Sequence, residues 1–167
     1  MAEIRHITEN DAQALLALRK AIDAETEFML FEPGERQTTV EDQRDRLKAL
    51  LARDNQMIFV AEHEGQLVGF LEAVGGGVRR SRHSVYIVIG IRNTFTDQGI
   101  GASLFVAMES WARARKVHRL ELTVMAHNER AIHLYRKMGF EIEGTKFHAL
   151  CVNGDYVNEY CMSKLLY

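Results

Sequence analysis

Two glycines stand at the entrance of a predicted helix, directly after a predicted strand. The apolar run VYIVIGI ends at Ile91, the helical run ASLFVAMESWARARK starts at Ala102, and Gly99 and Gly101 lie between them. Glycine costs a helix about 1 kcal/mol relative to alanine, so two of them here need a physical reason. A helix N-terminus carries unpaired N–H groups and partial positive charge, and glycine lets an anion approach the backbone. The stretch predicts a phosphate bound by the amides of residues 97–102, with tight packing of helix on strand as an equally good explanation.

Three phosphate ligands compete for such a turn. A nucleoside triphosphate requires the spacing G-x-x-x-x-G-K-[ST], and no such lysine follows the glycines. A dinucleotide requires a third glycine three residues after the second, where Leu104 stands. A pyrophosphate held by the backbone alone is the ligand that fits, and a nucleotide-binding protein stays as an alternative.

The composition is that of an ordinary globular domain. The chain has 167 residues, 47% hydrophobic and 26% charged, which favours one domain across residues 1–167. A net charge of −2 offers no basic excess for nucleic acid, and no apolar run reaches the ~18 residues that a membrane helix needs. Because the N-terminus has no apolar signal core, we expect a cytoplasmic protein. The turn between Cys151 and Cys161 would set Cys161 beside Lys146, so a disulfide is not expected.

Hydrophobic periodicity and capping patterns divide the chain into elements. The predicted strands cover residues 3–7, 57–62, 67–74, 84–91 and 120–124, followed by a hairpin of 140–152 with 155–166. The predicted helices follow capping patterns at Thr8–Asp11 and Thr38–Glu41, the glycine turn, and Asn128. This order of elements indicates one α/β domain with a mixed sheet.

The fourth predicted helix carries a second candidate site. Asn128 is a good N-cap, and Tyr135 lies seven residues later on the same helix face, about 10 Å along the axis. An amide and a phenol so placed could line an elongated ligand. Tyr135 could equally be a core residue beside Leu134 and Met138.

Together, these stretches resemble the GNAT superfamily of acetyl-CoA-dependent N-acetyltransferases. Three pieces match in the family's order: the strand with Q-G-I-G-A, then N-x-x-A-x-x-L-Y, then G-F with a C-terminal hairpin. The resemblance covers about residues 57–165 as a cofactor-binding core, with an N-terminal helical, acceptor-side portion at about 8–55. It implies a single-domain α/β fold with a mixed, mostly antiparallel sheet of six to seven strands and about four helices. The pattern is most similar to the branch with ribosomal-protein and amino-acid N-acetyltransferases.

The resemblance also implies where acetyl-CoA binds. The strand backbone would hold the pantetheine arm at Ile89, Gly90 and Ile91. The turn would hold the pyrophosphate at Thr96, Asp97, Gln98, Gly99, Ile100, Gly101 and Ala102. Asn128 would contact the pantetheine arm, and Tyr135 would lie beside the thioester sulfur. The family usually has Arg or Gln where Thr96 stands, and Arg92, Arg136 or Lys137 could supply the missing charge.

The implied chemistry is direct transfer of an acetyl group to a primary amine. The chain has no GxSxG motif, which agrees with a reaction that needs no enzyme nucleophile. Tyr135 is the candidate general acid for the departing thiolate. Some members use a base on the strand before the turn, which has no carboxylate here, and others use one at the position of Thr123. The remaining candidate bases are Glu121, His83 and Glu72.

The segment ETEFMLFEPGER would cover the acceptor pocket in this resemblance. Its acids Glu27 and Glu32 could attract a cationic amine beside Phe31, and the acceptor could be a small molecule or a peptide. The seven histidines lack paired ligand spacing, so no metal site is expected. The aromatic-rich last strand suggests a homodimer. A non-catalytic acyl-CoA-binding or sensor module stays as the alternative.

Overall fold

The computed structural model describes residues 1–167, which form one seven-stranded sheet and four helices. The strands are β1 Glu3–His6, β2 Gln56–His63, β3 Gln66–Gly75, β4 Ser84–Ile91, β5 Arg119–Met125, β6 Glu141–Val152 and β7 Asp155–Leu165. The helices are α1 Ala12–Glu25, α2 Val40–Leu51, α3 Ile100–Ala114 and α4 Glu129–Lys137, with short 3-10 turns at Glu9–Asp11 and Asn93–Phe95. The strand order is β1-β2-β3-β4-β5-β7-β6, and every pair is antiparallel except β4 with β5. The predicted α/β fold with a mixed, mostly antiparallel sheet is confirmed.

Both faces of the sheet carry a hydrophobic core. Leu104, Met108 and Trp111 of α3 pack on one face, where the helical spacing of these residues predicts a core. On the other face, Leu15 and Ile22 of α1 pack with residues of α2, β2 and β3. The sheet therefore separates an α3 side from an α1 side. None of the helices is both long and apolar enough to cross a membrane.

Helix α2 begins one residue later than the capping pattern predicted. Thr39, not Thr38, is the N-cap: its hydroxyl accepts from the Asp42 N–H, and the Asp42 carboxylate accepts from the Thr39 N–H, both at 3.1 Å. Thr38 lies three residues before Glu41 and Thr39 three residues before Asp42, so the capping pattern occurs twice, one residue apart. The sequence pattern alone does not choose between them.

The hairpin of β6 and β7 contains register shifts that also correct a prediction about the cysteines. Cys161 lies opposite Gly144 rather than Lys146, because the pairing shifts between Lys146 and Leu150. Both cysteines are free. The outer strand β6 is exposed along most of its length, and Phe147 in the shifted region is 80% exposed.

The pair β4 and β5 separates soon after it forms. The parallel ladder joins only residues Ser84–Tyr86 to Arg119–Glu121, although β4 continues to Ile91 and β5 to Met125. Beyond Tyr86, the two strands leave an opening in the middle of the sheet. We call this opening the cleft; its closed end lies at Tyr86 and its open end at Ile91.

Candidate functional site

One lip of the cleft is the free edge of β4. The Arg92 N–H donates to the Val68 carbonyl and the Gly76 N–H to the Ser84 carbonyl, so even-numbered residues of β4 pair with β3. Because backbone groups alternate along a strand, Ile89 and Ile91 direct their N–H and C=O groups into the cleft. The backbone groups of Gly90 face β3 instead. A Cβ at Gly90 would lie 2.9 Å from the Phe70 ring and 3.1 Å from Ile22, so this glycine lets α1 pack closely.

At the open end of the cleft, the glycine turn presents a run of unpaired backbone donors. None of the N–H groups from Asp97 to Ala102 donates to an acceptor in the protein, and the first bond of α3 runs from Ser103 N to Gly99 O at 3.0 Å. Thr96 does not belong to this run: its N–H and its hydroxyl both donate to the Asn93 carbonyl, at 3.3 and 2.8 Å. Six consecutive free donors at a helix start form a binding surface for an anion.

The two glycines of this turn have different physical reasons. Gly99 has φ +81°, a left-handed conformation that other residues adopt at a cost, and nothing lies within 4 Å of where its Cβ would be. Gly101 has an ordinary helical place, but a Cβ there would meet Leu134 of α4 at 2.8 Å. Gly99 therefore shapes the turn, whereas Gly101 allows close packing of α3 on α4. The sequence predicted close packing of helix on strand, whereas the close contact at Gly101 is with helix α4. Phosphate binding by the turn stays a prediction.

The positive charge beside the turn comes from a residue that the sequence analysis missed. Arg130, in the first turn of α4, lies 3.3 Å from the Asp97 carboxylate. Three other residues were predicted to supply this charge. Arg92 is paired with Glu25, and Arg136 and Lys137 lie in the last turn of α4. Arg136 is about 9 Å further along the helix axis than Arg130.

Helix α4 places Asn128 and Tyr135 as predicted. The Asn128 side chain caps the helix by accepting from the Ala131 N–H at 3.3 Å. Tyr135 is buried, and its ring packs against Phe105 and Phe140 with centroids 5.7 and 6.3 Å away. Burial, with a smaller contribution from the nearby Tyr86, raises the pKa of Tyr135 well above its usual value. The phenol thus remains a protonated acid at every ordinary pH.

A hydrogen bond spans the closed end of the cleft. The Tyr86 hydroxyl and the Thr123 hydroxyl lie 2.8 Å apart, one on each strand. Both side chains point to the α1 side, since their neighbours Val85, Ile87, Leu122 and Val124 lie in the α3-side core. Tyr86 was not among the predicted site residues, because a lone tyrosine in an apolar strand carries no motif.

The three predicted bases are engaged elsewhere or lie apart. Glu121 pairs with Arg119, which also binds Glu143. Glu72 pairs with Arg19 on the α1 side. His83 precedes β4, and its ring lies 6.4 Å from that of His118, at the end of the strand away from the glycine turn.

The segment after α1 crosses from one lip of the cleft to the other. Glu25 binds the Arg92 side chain and accepts from the Asn93 N–H at 2.8 Å, just beyond the end of β4. Glu27 accepts from His127 after β5 and from Asn153 in the β6–β7 turn, each at 3.2 Å. Residues 25–28, the crossing segment, therefore join the ends of β4 and β5 on the α1 side.

A cavity of about 590 Å³ opens beside the crossing segment. Its walls come from the crossing segment, the loop after β5 and the β6–β7 hairpin: Glu27, Ala126, His127, His148, Val152, Asn153, Asp155, Tyr156, Val157 and Asn158. Two carboxylates and several polar groups favour a cationic, hydrogen-bonding occupant.

The other predicted acceptor residues lie outside this cavity. Glu32 is exposed, and its N–H donates to the Glu35 carboxylate at 3.0 Å. The guanidinium carbon of Arg36 lies over the Phe31 ring, 4.5 Å from the centroid of that ring. Arg36 in turn donates to the buried Asp23 carboxylate at 2.8 Å, which fixes the far end of the loop to α1. No group of three or more His, Cys, Asp or Glu side chains is arranged to hold a metal ion.

Comparisons with known proteins identify relatives of this fold. Residues 19–140 match the acetyltransferase (GNAT) family. An L-amino acid N-acetyltransferase of Escherichia coli is 34% identical over 110 residues, covering 64% of this chain and 66% of that protein. The chain spans between about half and two thirds of the length of the first curated relatives that it matches.

Solved structures match over nearly the whole chain. A GNAT-family acetyltransferase from Streptococcus pneumoniae has a TM-score of 0.96 and 30% identity, covering 99% of this chain and 100% of that one. A ribosomal-protein-alanine N-acetyltransferase from Brucella melitensis has a TM-score of 0.84 and 32% identity, with 98% and 99% covered. A GNAT phosphinothricin acetyltransferase from Sinorhizobium meliloti, solved in complex with acetyl-CoA, shares the fold at a TM-score of 0.86 and 18% identity, with 99% and 88% covered.

Proposed function

Because this chain belongs to the GNAT acetyltransferase family, we propose that it transfers an acetyl group from acetyl-CoA to a primary amine of a small molecule or peptide. One observation carries the proposal: six consecutive unpaired N–H groups, from Asp97 to Ala102, lead into a cleft with a free strand edge. A diphosphate followed by an extended, amide-containing arm is complementary to both parts. The whole of residues 1–167 acts as one acetyltransferase domain in this proposal.

Acetyl-CoA would bind along this path. The turn amides would receive the pyrophosphate, and Arg130 could leave Asp97 for a phosphate oxygen. The pantetheine amides would pair with the free backbone groups of Ile89 and Ile91, whereas those of Gly90 are already used by β3. From Ile91 to Ile87, β4 is about 13 Å long, enough to carry the arm toward the closed end.

The reaction requires a neutral amine, because an ammonium ion has no lone pair. The amine nitrogen forms a bond to the acetyl carbon, and the bond from that carbon to sulfur breaks. Tyr135 gives its proton to the departing thiolate and becomes a phenolate. The amine nitrogen loses a proton to water, and the phenolate takes a proton back from water, so that the enzyme returns to its starting state. Because its pKa is raised, the phenol of Tyr135 is protonated at neutral pH, as a general acid must be.

The acceptor would enter through the cavity beside the crossing segment. Glu27 and Asp155 there favour an amine that carries additional positive charge or hydrogen-bond donors. Amino acids, peptide N-termini and polyamines all have such groups. Glu32 and Phe31 lie outside the cavity walls and have no role in this proposal.

One observation favours the alternative of a non-catalytic acyl-CoA-binding module. The candidate bases Glu121 and Glu72 are both held in ion pairs with arginine. A module of this kind would bind acetyl-CoA and release no thiol in the presence of any amine.

The deciding experiment follows thiol release from acetyl-CoA with a panel of L-amino acids, spermidine and short peptides. We expect at least one amine to accelerate release and to gain 42 Da by mass spectrometry, the mass that acetylation adds. Acetyl-CoA binding without release for any member of the panel would favour the non-catalytic module. No binding of acetyl-CoA at all would contradict both.

The proposal also covers the cellular compartment and the oligomeric state. We place the reaction in the cytoplasm, where acetyl-CoA and free amines are available. The last strand, β7, is not the edge strand that the sequence suggested, because it pairs with both β5 and β6. The exposed outer strand β6, with Phe147 at 80% exposure, is instead the surface on which a homodimer would form. Sedimentation of the wild type against Phe147→Lys tests the dimer, since the charged variant should be monomeric.

A further inference from the structure

The hydrogen bond between Tyr86 and Thr123 lies where β4 and β5 separate, at the closed end of the cleft. Tyr86 is the last residue of β4 that pairs with β5, and Thr123 lies two residues beyond the last paired residue of β5, Glu121. Their hydroxyl groups nevertheless meet at 2.8 Å, across the point where the strands separate. Tyr86 is 40% exposed, and its side chain points to the α1 side.

We propose that the Tyr86 hydroxyl accepts a hydrogen bond from the N–H of the acceptor amine, while Thr123 holds that hydroxyl in position. This inference rests on the proposed function and names the residues that orient the amine. Tyr86 touches the substrate, and Thr123 acts through Tyr86 as a positioning residue.

The geometry at the cleft supports this assignment. The acetyl carbon would lie where the pantetheine arm reaches the closed end, which is bounded by Tyr86 and Thr123 on the α1 side. Tyr135 belongs to the core on the α3 side, and the nearby Tyr86 contributes, after burial, to its raised pKa. Neither Tyr86 nor Thr123 lines the cavity beside the crossing segment, so an amine that enters there must extend along the α1 side to reach the Tyr86 hydroxyl at the closed end. Tyr135, the acid for the thiolate, lies on the opposite, α3 side.

The hydrogen-bonding capacity of the Tyr86 hydroxyl also supports the proposal. If Tyr86 donates to Thr123, both lone pairs of the phenol oxygen remain free to accept an amine N–H. The two carboxylates predicted as bases are engaged, because Arg119 holds Glu121 and Arg19 holds Glu72. A neutral hydroxyl stabilises the ammonium form less than a carboxylate does, so it orients the amine with less cost to the neutral form that attacks.

The test compares four variants with the amine of the panel that the wild type acetylates fastest. Tyr86→Phe removes only the hydroxyl, and we expect kcat/KM for the amine to fall about tenfold, with KM for acetyl-CoA unchanged. Thr123→Val, which removes the hydroxyl that holds Tyr86, should lower kcat/KM for the amine by a smaller factor. Thr123→Ser keeps a hydroxyl at this position and should have the kcat/KM of the wild type. In the double variant Tyr86→Phe, Thr123→Val, the fold-decrease in kcat/KM should be smaller than the product of the two single fold-decreases, because both substitutions act through the Tyr86 hydroxyl.

Matched controls are Tyr167→Phe and Thr145→Val, which remove the same groups from exposed positions and should leave the constants unchanged. The inference is overturned if Tyr86→Phe stays within twofold of the wild type, or if Thr123→Ser is as impaired as Thr123→Val. Should Tyr86→Phe fail to fold, the comparison of Thr123→Val with Thr123→Ser still decides. Absence of turnover in the wild type would overturn the proposed function and this inference with it, whereas turnover that ignores Tyr86 would overturn this inference alone.

Discussion

At the scale of single residues, Tyr135 shows how one side chain can be both core and reagent. Its ring packs against Phe105 and Phe140, and its surroundings raise the pKa of the phenol. A raised pKa makes the phenol a weaker acid, but it also keeps the proton in place until a thiolate develops beside it. The same burial that stabilises the fold therefore prepares the proposed proton donor.

Replacing Tyr135 with phenylalanine should keep the packing and remove the proton. We expect kcat to fall about 100-fold or more, since positioned general acids typically contribute that much, while the Kd of acetyl-CoA measured by calorimetry stays within a factor of about three. Because the pKa of Tyr135 is raised, ionisation of this group should cause no loss of kcat between pH 8 and 10. Equal kcat values for the variant and the wild type would remove Tyr135 from the mechanism.

Residues with a local signature could be predicted, and those defined by distant contacts could not. Asn128 and the glycine turn were identified because capping and left-handed turns depend on neighbours in sequence. Arg130 and Tyr86 were missed since each meets its partner more than 30 residues away, Asp97 and Thr123 respectively. The acceptor role predicted for Glu27 stays a prediction, although this side chain does line the cavity.

At the scale of elements, order and type were predictable, whereas pairing length was not. Periodicity indicated the strand before the turn, but it did not indicate that the ladder with β5 ends at Tyr86. Similarly, the register shift in β6 moved Cys161 away from Lys146. Both features follow from tertiary contacts, which override local propensity.

The turn before α3 provides a test of the phosphate-binding geometry. Gly99→Ala should destabilise the protein by about 1 kcal/mol in urea unfolding, because alanine disfavours the left-handed φ of +81°. The strained turn should also bind acetyl-CoA more weakly. Gly99→Asn is the matched control, since asparagine tolerates this conformation and should retain most of the stability and affinity. Equal behaviour of the alanine and asparagine variants would contradict this explanation.

The connection between β1 and α1 should be sensitive to acid. The Asp11 carboxylate accepts two hydrogen bonds of 2.9 Å from Arg5 and one of 2.8 Å from the Thr8 N–H. These contacts, chiefly the one with Arg5, lower the pKa of Asp11 from 3.8 to about 2. The unfolded chain therefore binds a proton first as the pH falls, so this stabilisation is complete above about pH 4 and is lost between about pH 4 and 2.

Asp11→Asn should remove that contribution, at most about 2 kcal/mol given the partial exposure of Arg5. Urea unfolding of both proteins at several pH values measures it: the difference in unfolding free energy should be constant above pH 5 and shrink towards pH 2. The exposed Asp45→Asn serves as the control. A difference that does not change with pH would show that the charge of Asp11 is irrelevant.

At the scale of the whole molecule, the sheet is interrupted near its middle. Five strands lie in sequence order from β1 to β5, and the hairpin β7-β6 closes the far edge. The cleft lies in a sheet that carries a hydrophobic core on each face. A ligand inserted there would replace missing strand contacts and bind only the folded state.

Acetyl-CoA should therefore raise the melting temperature. At about 100 times its Kd, a ligand of the folded state adds about 2.7 kcal/mol, which corresponds to about 5–10 °C for a chain of this size. Differential scanning fluorimetry with acetyl-CoA and with ATP at the same concentration measures this effect. A larger shift with ATP than with acetyl-CoA would favour a nucleotide-binding protein.

The crossing segment has a consequence for communication between the two ligands. Glu25 holds the start of the phosphate turn through Asn93, and Glu27 forms a wall of the acceptor cavity, only two residues further along. An acceptor that displaces Glu27 must also perturb Glu25. Any resulting change in the affinity for acetyl-CoA must be matched by an equal change in the affinity for the amine, because such thermodynamic coupling is reciprocal. Heterotropic synergy between the two substrates would then reside in a single tripeptide.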